Sequence, residues 1–419
     1  MTGTALAQIF GFAISPIISR LYSPSDFGVF GSFNAVLGII AAGLTLDYSQ
    51  AIMIPEQKDD AFSLFILSCI STATIGACCL IVCLIAPTFI QNFLKAPNAW
   101  ILVLLVISVL ANGLNQATQA WCVRTKSFKH TSASQVIRSL SANGTQVCLG
   151  YLKGKAPALI FSSVLGDMLA TLNLAKVVFR DLRKLRQNIR WNRIWQLAKD
   201  YRDFPIYSAS TNVINSLSLG LPIFLLTHFY GIAVAGAYAF GLRILQTPSG
   251  LILRALRQVL YQKASETHNE GGRLVPLYVK ITGGLLVLAL FPSLVLFIWA
   301  PQLFTWIFGD QWHMAGVFAR SLVLWLMFMF CNLPAVLFAR ILRMQRKMFF
   351  FDQVLLAARA LVLIVGGIYL PASSTIMLFS IVGAVMNIIF ISIIGFALMR
   401  KEGDTDIKGI LSGMKEGLS

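Results

Sequence analysis

Residues 61–90 read AFSLFILSCISTATIGACCLIVCLIAPTFI and contain no charged side chain. A hydrocarbon core about 30 Å thick is crossed by a helix of about 20 apolar residues, so this segment is long enough to span a membrane. Similar apolar segments recur along the 419-residue chain, in which 57% of residues are hydrophobic and only 12% are charged. Soluble domains usually carry about twice that share of charge. The pattern predicts an all-α integral membrane protein.

Twelve segments are predicted to cross the membrane, and basic residues orient them. The predicted spans are residues 2–19, 27–52, 61–90, 99–121, 132–151, 157–179, 204–228, 232–253, 279–300, 314–338, 350–370 and 375–399. The gaps between them alternate between strongly and weakly basic. The gaps assigned to the outside contain only four basic residues: Arg20, Lys95, Lys153 and Lys155. Because cytoplasmic loops are enriched in Lys and Arg, both termini are predicted to be cytoplasmic.

The longest predicted cytoplasmic loop, residues 180–203, carries eight basic residues and separates six predicted spans from another six. Trp191 and Trp195 are four residues apart, which predicts a short amphipathic helix at the membrane surface. The predicted division has four parts: an N-terminal six-helix lobe at residues 1–179, a basic cytoplasmic linker at 180–203, a C-terminal six-helix lobe at 204–399 and a cytoplasmic tail at 400–419.

The two halves contain related segments. Residues 26–37 read DFGVFGSFNAVL, and residues 234–245 read VAGAYAFGLRIL. Weak internal repeats of this kind are typical of transporters, whose halves rock about a central site. We therefore predict two six-helix lobes related by pseudo-two-fold symmetry.

Several function classes are disfavoured. The net charge of +17 is explained by the loops between spans, and no basic patch is interleaved with aromatic residues, so no nucleic-acid partner is expected. The seven cysteines lack the paired spacing of a zinc site. We find no nucleotide-binding loop and no metalloenzyme motif. We expect no catalytic residue, no metal site and no bound cofactor, and an ATP-driven pump is not expected from this chain alone.

Four stretches resemble one family in the same order along the chain: RLYSPSDFGVFGSF at 20–33, YSQAIMIPEQKDDAFSL at 48–64, FPIYSASTNVINSLSLGLPIFLLTHFYGIAVAGAYAFGLRIL at 204–245 and FGDQWHMAGVFAR at 308–320. Together they resemble bacterial polysaccharide biosynthesis transporters, the Wzx-type flippases of the multidrug/oligosaccharidyl-lipid/polysaccharide (MOP) exporter superfamily.

The resemblance implies a fold, a location and partners. The fold would have two six-helix lobes in the bacterial inner (cytoplasmic) membrane. The substrate would be a lipid-linked oligosaccharide, such as an O-antigen repeat unit of lipopolysaccharide, and the partners would be membrane lipids, a polysaccharide polymerase and a chain-length regulator. One position departs from the family pattern. Many relatives have Arg before and Glu after a tyrosine that corresponds to Tyr48, where this chain has Asp47 and Ser49.

Basic residues inside predicted spans are candidate substrate-binding residues, because ionisable groups are costly within a bilayer. Arg243 and Arg359 lie near mid-membrane, and Arg138 and Arg320 lie within one or two turns of opposite surfaces. A guanidinium group suits an anionic diphosphate because it donates several hydrogen bonds in one plane. The alternative for Arg138 and Arg320 is a side chain that reaches the membrane surface. The alternative for the other two arginines is a structural ion pair with Asp167, Asp47 or Asp352.

Two acidic residues and two polar stripes complete the candidate site. Asp47 and Asp167 are candidates for binding a coupling H⁺ or Na⁺, and a helix-end ion pair is the alternative for Asp47. Helical spacing i, i+3, i+4, i+7 connects Asn112, Asn115, Gln116 and Gln119 in one span, and a similar stripe in another span comprises Ser208, Thr211, Asn212, Asn215 and Ser218. Lipid cannot satisfy such stripes, so each faces either a hydrophilic cavity or hydrogen-bonding partners on other helices.

These observations predict a flippase that moves an isoprenoid-diphosphate-linked oligosaccharide across the membrane by alternating access. One rival is a cation-coupled multidrug exporter of the same fold, which would favour acidic residues in its cavity. A second rival is a membrane polysaccharide polymerase or glycosyltransferase, which would usually carry a large outer loop that this chain lacks. A non-transporting scaffold in a polysaccharide assembly complex is a third alternative.

Overall fold

The computed structural model describes residues 2–185, 190–269, 273–342 and 344–416, and no strand occurs in these ranges. The helices are α1 (Thr2–Ala13), α2 (Ser15–Leu21), α3 (Pro24–Gly43), α4 (Tyr48–Ala51), α5 (Lys58–Ile85), α6 (Pro87–Leu94), α7 (Trp100–Arg124), α8 (Phe128–Tyr151), α9 (Lys155–Leu185), α10 (Trp191–Asp200), α11 (Ser210–Tyr230), α12 (Ile232–Asn269), α13 (Leu274–Phe308), α14 (His313–Cys331), α15 (Leu333–Ile341), α16 (Gln345–Tyr369) and α17 (Ala372–Glu416). A π-helical turn at Phe204–Ala209 precedes α11, and a 3₁₀ turn at Asp310–Trp312 precedes α14.

Helices occupy each of the twelve segments predicted to be spans, which confirms the all-α membrane fold. Within the described ranges, nine helical stretches satisfy length and hydropathy criteria for crossing a membrane: Pro24–Gly43, Lys58–Ile85, Trp100–Arg124, Lys155–Leu182, Phe204–Tyr230, Leu274–Phe308, Asp310–Ala339, Lys347–Tyr369 and Ala372–Glu402. The other three predicted spans correspond to the pair α1 and α2, to the polar helix α8 and to the long helix α12.

Four predicted spans, 2–19, 27–52, 61–90 and 314–338, are each broken into two helices, and the break within 27–52 is the longest. The apolar segment 27–52 predicts a single helix, but α3 ends at Gly43 and the short helix α4 follows a turn. Leu46 and Asp47 both have positive φ, at 47° and 57°, in the left-handed region that a continuous helix excludes. The chain therefore turns immediately before Tyr48, and this turn positions Asp47.

The chain forms two compact units. The first contains Met1–Phe240 and Ile307–Trp312, and the second contains Gly241–Trp306 and His313–Ser419. The first unit therefore includes the start of α12 and the end of α13. The predicted four-part division and the symmetry of its two lobes remain predictions.

An aromatic core in the first unit joins α5, α7 and α10. The ring centroids of Phe62 and Trp121 lie 5.0 Å apart, and Ile194 and Leu197 of α10 are buried in the same cluster. On the other side of α10, Trp191 and Trp195 are 63% and 65% exposed. This helix is amphipathic, as its sequence predicts.

An ion pair fixes α10 to the start of α5. The Arg193 guanidinium donates to both carboxylate oxygens of Asp60, from Nε at 2.8 Å and from Nη2 at 2.6 Å. The hydrogen bonds that Arg193 donates to Asp60 raise the pKa of the guanidinium. The basic linker is thus attached at its helical end to the first unit by both apolar and ionic contacts.

The core of the second unit lies where α13, α15 and α17 meet. Tyr278, Phe338, Phe390, Ile394 and Leu398 are all buried there. The Tyr278 hydroxyl donates to the carbonyl oxygen of Ile391 at 2.7 Å, so the one polar atom of this ring has a partner.

Candidate functional site

A buried carboxylate connects three helices of the first unit. Asp167 of α9 forms an ion pair with Arg138 of α8 and accepts a hydrogen bond from Asn112 Nδ2 of α7 at 3.1 Å. The Asp167 side chain is 8% exposed, whereas that of Arg138 is 49% exposed. The Arg138 guanidinium therefore neutralises the buried acid and also presents donors at the surface of the unit.

The stripe on α7 is largely used in contacts between helices. Asn115 Nδ2 donates to Thr171 Oγ1 at 3.0 Å, and Gln116 Nε2 donates to the carbonyl oxygen of Ala41 at 3.0 Å. With the bond from Asn112, these amides attach α7 to α9 and α3. Gln119 is half-buried one turn further along. For three of the four residues, the structure shows interhelical hydrogen bonds.

A second buried carboxylate lies at the turn after α3. Asp47 is 6% exposed and accepts hydrogen bonds from Ser208 Oγ and from Asn212 Nδ2, the latter at 2.8 Å. Ser208 belongs to the π-helical turn before α11, a type of distortion that is frequent at functional sites. In the described parts of the chain, no Lys, Arg or His forms an ion pair with Asp47. Asn215, one turn after Asn212, is exposed.

The candidate arginines of the second unit have three different environments. Arg359 of α16 is 5% exposed and lies over two rings, 4.6 Å from the centroid of Trp325 and 5.3 Å from that of Phe379. Arg320 of α14 is exposed and lies 5.4 Å from the centroid of Phe297.

Arg243 of α12 is half-buried, and no acid in the described residues pairs with it. The two cation–π contacts of Arg359 were not predicted from the sequence, because Trp325 and Phe379 are distant from Arg359 along the chain and share no motif with it. Cation–π contacts of this kind stabilise a guanidinium removed from water.

The first unit also contains a close crossing of α3 and α12. A Cβ atom added to Gly28 would overlap the carbonyl oxygen of Ile232, and one added to Gly236 would overlap that of Pro24. Close backbone approach through small residues is a common way of packing membrane helices. Both glycines are therefore required by the distance between the two backbones.

This crossing is internally symmetric. In the two related segments, each residue of the second is numbered 208 higher than its counterpart in the first, so Gly28 corresponds to Gly236. The same offset, continued two residues before the segments begin, relates Pro24 to Ile232. Exchanging the segments converts one glycine–carbonyl contact into the other. A Cβ added to Gly31 would lie 3.0 Å from the Cβ of its own counterpart, Ala239. The two related segments therefore contact each other at corresponding positions, as the predicted symmetry of the two lobes would require.

Aromatic side chains pack around one end of the crossing. The Trp312 ring lies 5.1 Å from Phe27 and 4.0 Å from Phe240, measured between centroids. Trp312 Nε1 donates to the carbonyl oxygen of Ser19 at 2.8 Å, and Ser19 Oγ donates to the carbonyl oxygen of Phe308 at 3.2 Å. All three rings are at most 2% exposed, so this end of the crossing is tightly packed.

Solved structures with this fold belong to membrane transporters. A multidrug resistance MATE family transporter of the MOP superfamily, in an inward-facing conformation, matches with a TM-score of 0.73 and 15% identity over 95% of this chain and 96% of its own. The lipid II flippase MurJ, in an inward closed conformation, matches with a TM-score of 0.72 and 13% identity over 93% of this chain and 86% of its own. Among curated protein sequences, none matches this one. The chain is therefore a multi-pass membrane protein with the MOP exporter fold.

The family is identified by the sequence itself. A family model described as "Polysaccharide biosynthesis protein" matches residues 17–316, which is more than half of the chain. The chain belongs to the polysaccharide biosynthesis protein family. Family and fold together favour transport, including lipid flipping, as the general activity.

Proposed function

We propose that this protein is a flippase, not an enzyme, which moves an isoprenoid-diphosphate-linked oligosaccharide across the bacterial cytoplasmic membrane. The observation that carries the proposal is the symmetric α3–α12 crossing. Two related helices cross at a tightly packed end of the first unit, and internal repeats of this kind are typical of proteins that work by alternating access. In the predicted orientation this end faces outward, so the crossing and its aromatic rings hold the outer exit closed. Opening it would release the head group outside.

The charge of the candidate residues supports an anionic substrate. Arg138 keeps half of its side chain exposed after neutralising Asp167, and Arg243 has no acidic partner in the described part of the chain. Neither arginine is neutralised completely by an acid, so each guanidinium retains donors for an anionic group. The amides at positions 212 and 215 add hydrogen-bonding capacity for sugar hydroxyls. Delivery of the product to a polysaccharide polymerase and a chain-length regulator completes the proposed role.

The direct test is a flipping assay. The purified chain, reconstituted in liposomes, should move a fluorescent isoprenoid-diphosphate oligosaccharide between leaflets faster than protein-free liposomes do. Cationic drugs should not compete for this movement. Drug uptake that is unaffected by the lipid-linked sugar would instead identify a multidrug exporter.

Asp47 favours ion coupling as part of this function. It is a buried carboxylate whose described partners, Ser208 and Asn212, are uncharged, so a proton or Na⁺ is a suitable counter-charge. We expect Asp47→Asn to leave the protein folded and to remove the dependence of transport on an imposed ion gradient. Asp181→Asn is the control, since Asp181 is bonded to Trp121 instead. An unchanged gradient dependence in Asp47→Asn would exclude Asp47 as the coupling residue and leave Asp167 as the remaining candidate.

A further inference from the structure

An apolar groove of 510 Å³ lies between α16 and α17 in the second unit. Met348, Phe351 and Val354 line it on α16, and Met386, Phe390 and Ile393 line it on α17. Every other lining side chain is apolar as well, except that of Lys347 near the start of α16. Its volume is within the range of about 300–1,000 Å³ that is typical of ligand pockets.

The groove has a packed floor and an open side. Phe390 and Ile394 form the floor and are 6% and 1% exposed, because they are also part of the core of the second unit. Val354 and Ile393 form the walls and are 58% and 42% exposed. An occupant therefore enters from the side, where a spanning helix meets the hydrocarbon of the bilayer. Since almost no polar group faces the groove, its occupant there is a hydrocarbon chain.

The length and charge of the groove indicate which end of the chain it holds. From Met344 to Val354 the lining of α16 rises about 15 Å at 1.5 Å per residue, which is about half of a hydrocarbon core of about 30 Å. The groove thus covers about one leaflet, with the cation of Lys347 at its end. Residues 340–347 read RILRMQRK and contain four basic residues and no acidic residue. An amphiphile with a strongly anionic head fits this arrangement better than a zwitterionic phospholipid does.

We propose that this groove binds the isoprenoid chain of the lipid-linked substrate, with Lys347 placed near its diphosphate. The inference rests on the proposed flippase function, and it adds a binding site for the lipid part of the substrate. Methionine side chains are flexible and fill irregular gaps, so Met348 and Met386 suit the branched surface of an isoprenoid chain.

Photolabelling of the full-length chain tests this site. The probe is a polyprenyl diphosphate without sugar that carries a diazirine in its chain, and crosslinked peptides are mapped by mass spectrometry. We expect crosslinks on the lining residues of α16 and α17. Excess unlabelled polyprenyl diphosphate should remove them, whereas the same amount of phosphatidylglycerol should not.

Two matched tryptophan substitutions separate the groove from the general lipid surface. Val354→Trp fills the groove, whereas Val365→Trp lies on the same helix outside it and starts from a comparably exposed position, 45% against 58%. In Val354→Trp the indole ring should displace about two methylene groups of the bound isoprenoid chain from the groove, which should reduce crosslinking about tenfold. The second variant should label like the wild type. Lys347→Gln should weaken labelling, and Lys347→Arg should restore it.

The outcomes distinguish this inference from the proposed function. Equal competition by phosphatidylglycerol, or equal labelling of the two tryptophan variants, would overturn the isoprenoid site. A wild-type protein that flips the oligosaccharide lipid without labelling the groove would also overturn it, and the proposed function would stand. Labelling with the expected selectivity in a protein that does not flip would support the groove and contradict the flippase.

Discussion

At the residue scale, the Arg138–Asp167 pair makes a prediction about stability. Arg138→Ala leaves the buried carboxylate of Asp167 with only the Asn112 amide as its described partner. We expect this substitution to destabilise the protein by about 2 kcal/mol. The value is smaller than for a fully buried pair because Arg138 is half-exposed. The double variant Arg138→Ala/Asp167→Asn should recover most of this loss, because no uncompensated charge remains.

Thermal unfolding in detergent measures both effects as shifts in Tm. Asp167→Asn alone provides the third corner of the cycle. Additive shifts from the two single substitutions would contradict a direct interaction between the side chains.

The arginines of the second unit make a prediction about transport. We expect Arg243→Ala and Arg359→Ala to leave expression nearly intact and to abolish complementation of a strain that lacks its polysaccharide transporter. Lys replacement at either position should retain part of the activity, because the charge remains while the planar donor geometry is lost. Lys176→Ala, a change at an exposed position on α9, is the control and should complement fully.

The surroundings of Arg359 sharpen this expectation. The side chain is nearly enclosed and stacked on Trp325 and Phe379, so contact with a diphosphate requires these helices to move. Normal export by both Ala variants would refute the diphosphate role. Loss of the Arg359→Ala protein from the membrane, together with normal behaviour of Arg243→Ala, would assign Arg359 to folding.

At the scale of elements, the crossing of α3 and α12 gives the most specific prediction. Gly28→Ala and Gly236→Ala should each force the backbones apart, at a cost of about 1–3 kcal/mol in the closed arrangement. Gly38→Ala on the same helix is the control, since nothing lies within 4 Å of its added Cβ.

Solvent access reports the effect of these substitutions. A cysteine replacing Ala239, in a background without the native cysteines, should react faster with a thiol reagent when either glycine is also substituted. Equal reactivity in the Gly28 and Gly38 variants would show that the crossing does not close this end.

Helices and their pairing differed in how far the sequence could predict them. Hydrophobic length correctly placed helix in each of the twelve predicted spans because the bilayer imposes that length on each helix separately, but it did not reveal the breaks within four of them. The longest break follows α3, where the chain turns before Tyr48 and Asp47 accepts hydrogen bonds from Ser208 and Asn212 near the start of α11. That contact joins residues far apart in the chain, as do the rings around Arg359. Periodicity within one segment contains no information about such partners.

At the scale of the whole molecule, the orientation in the membrane can be tested by labelling. Asn192 on α10 and Asn98 before α7 are both exposed, and the positive-inside rule predicts that they lie on opposite sides. In a background without native cysteines, Asn98→Cys should react with an impermeant thiol reagent added to intact cells. Asn192→Cys should react only after the membrane is opened. The reverse result would invert the proposed direction of transport.

The paired contacts of Gly28 with Ile232 and of Gly236 with Pro24 have a consequence for how this sequence can change. Contacts that exchange under a two-fold rotation are isologous, the kind that two identical subunits make in a dimer. In such a dimer, one codon change would alter both contacts at once. In a single polypeptide the two copies are separate, so one glycine can be replaced while the other contact persists. Gly31 and Ala239 already differ where they face each other. A single chain can therefore change one of two equivalent contacts, whereas a symmetric dimer would change both.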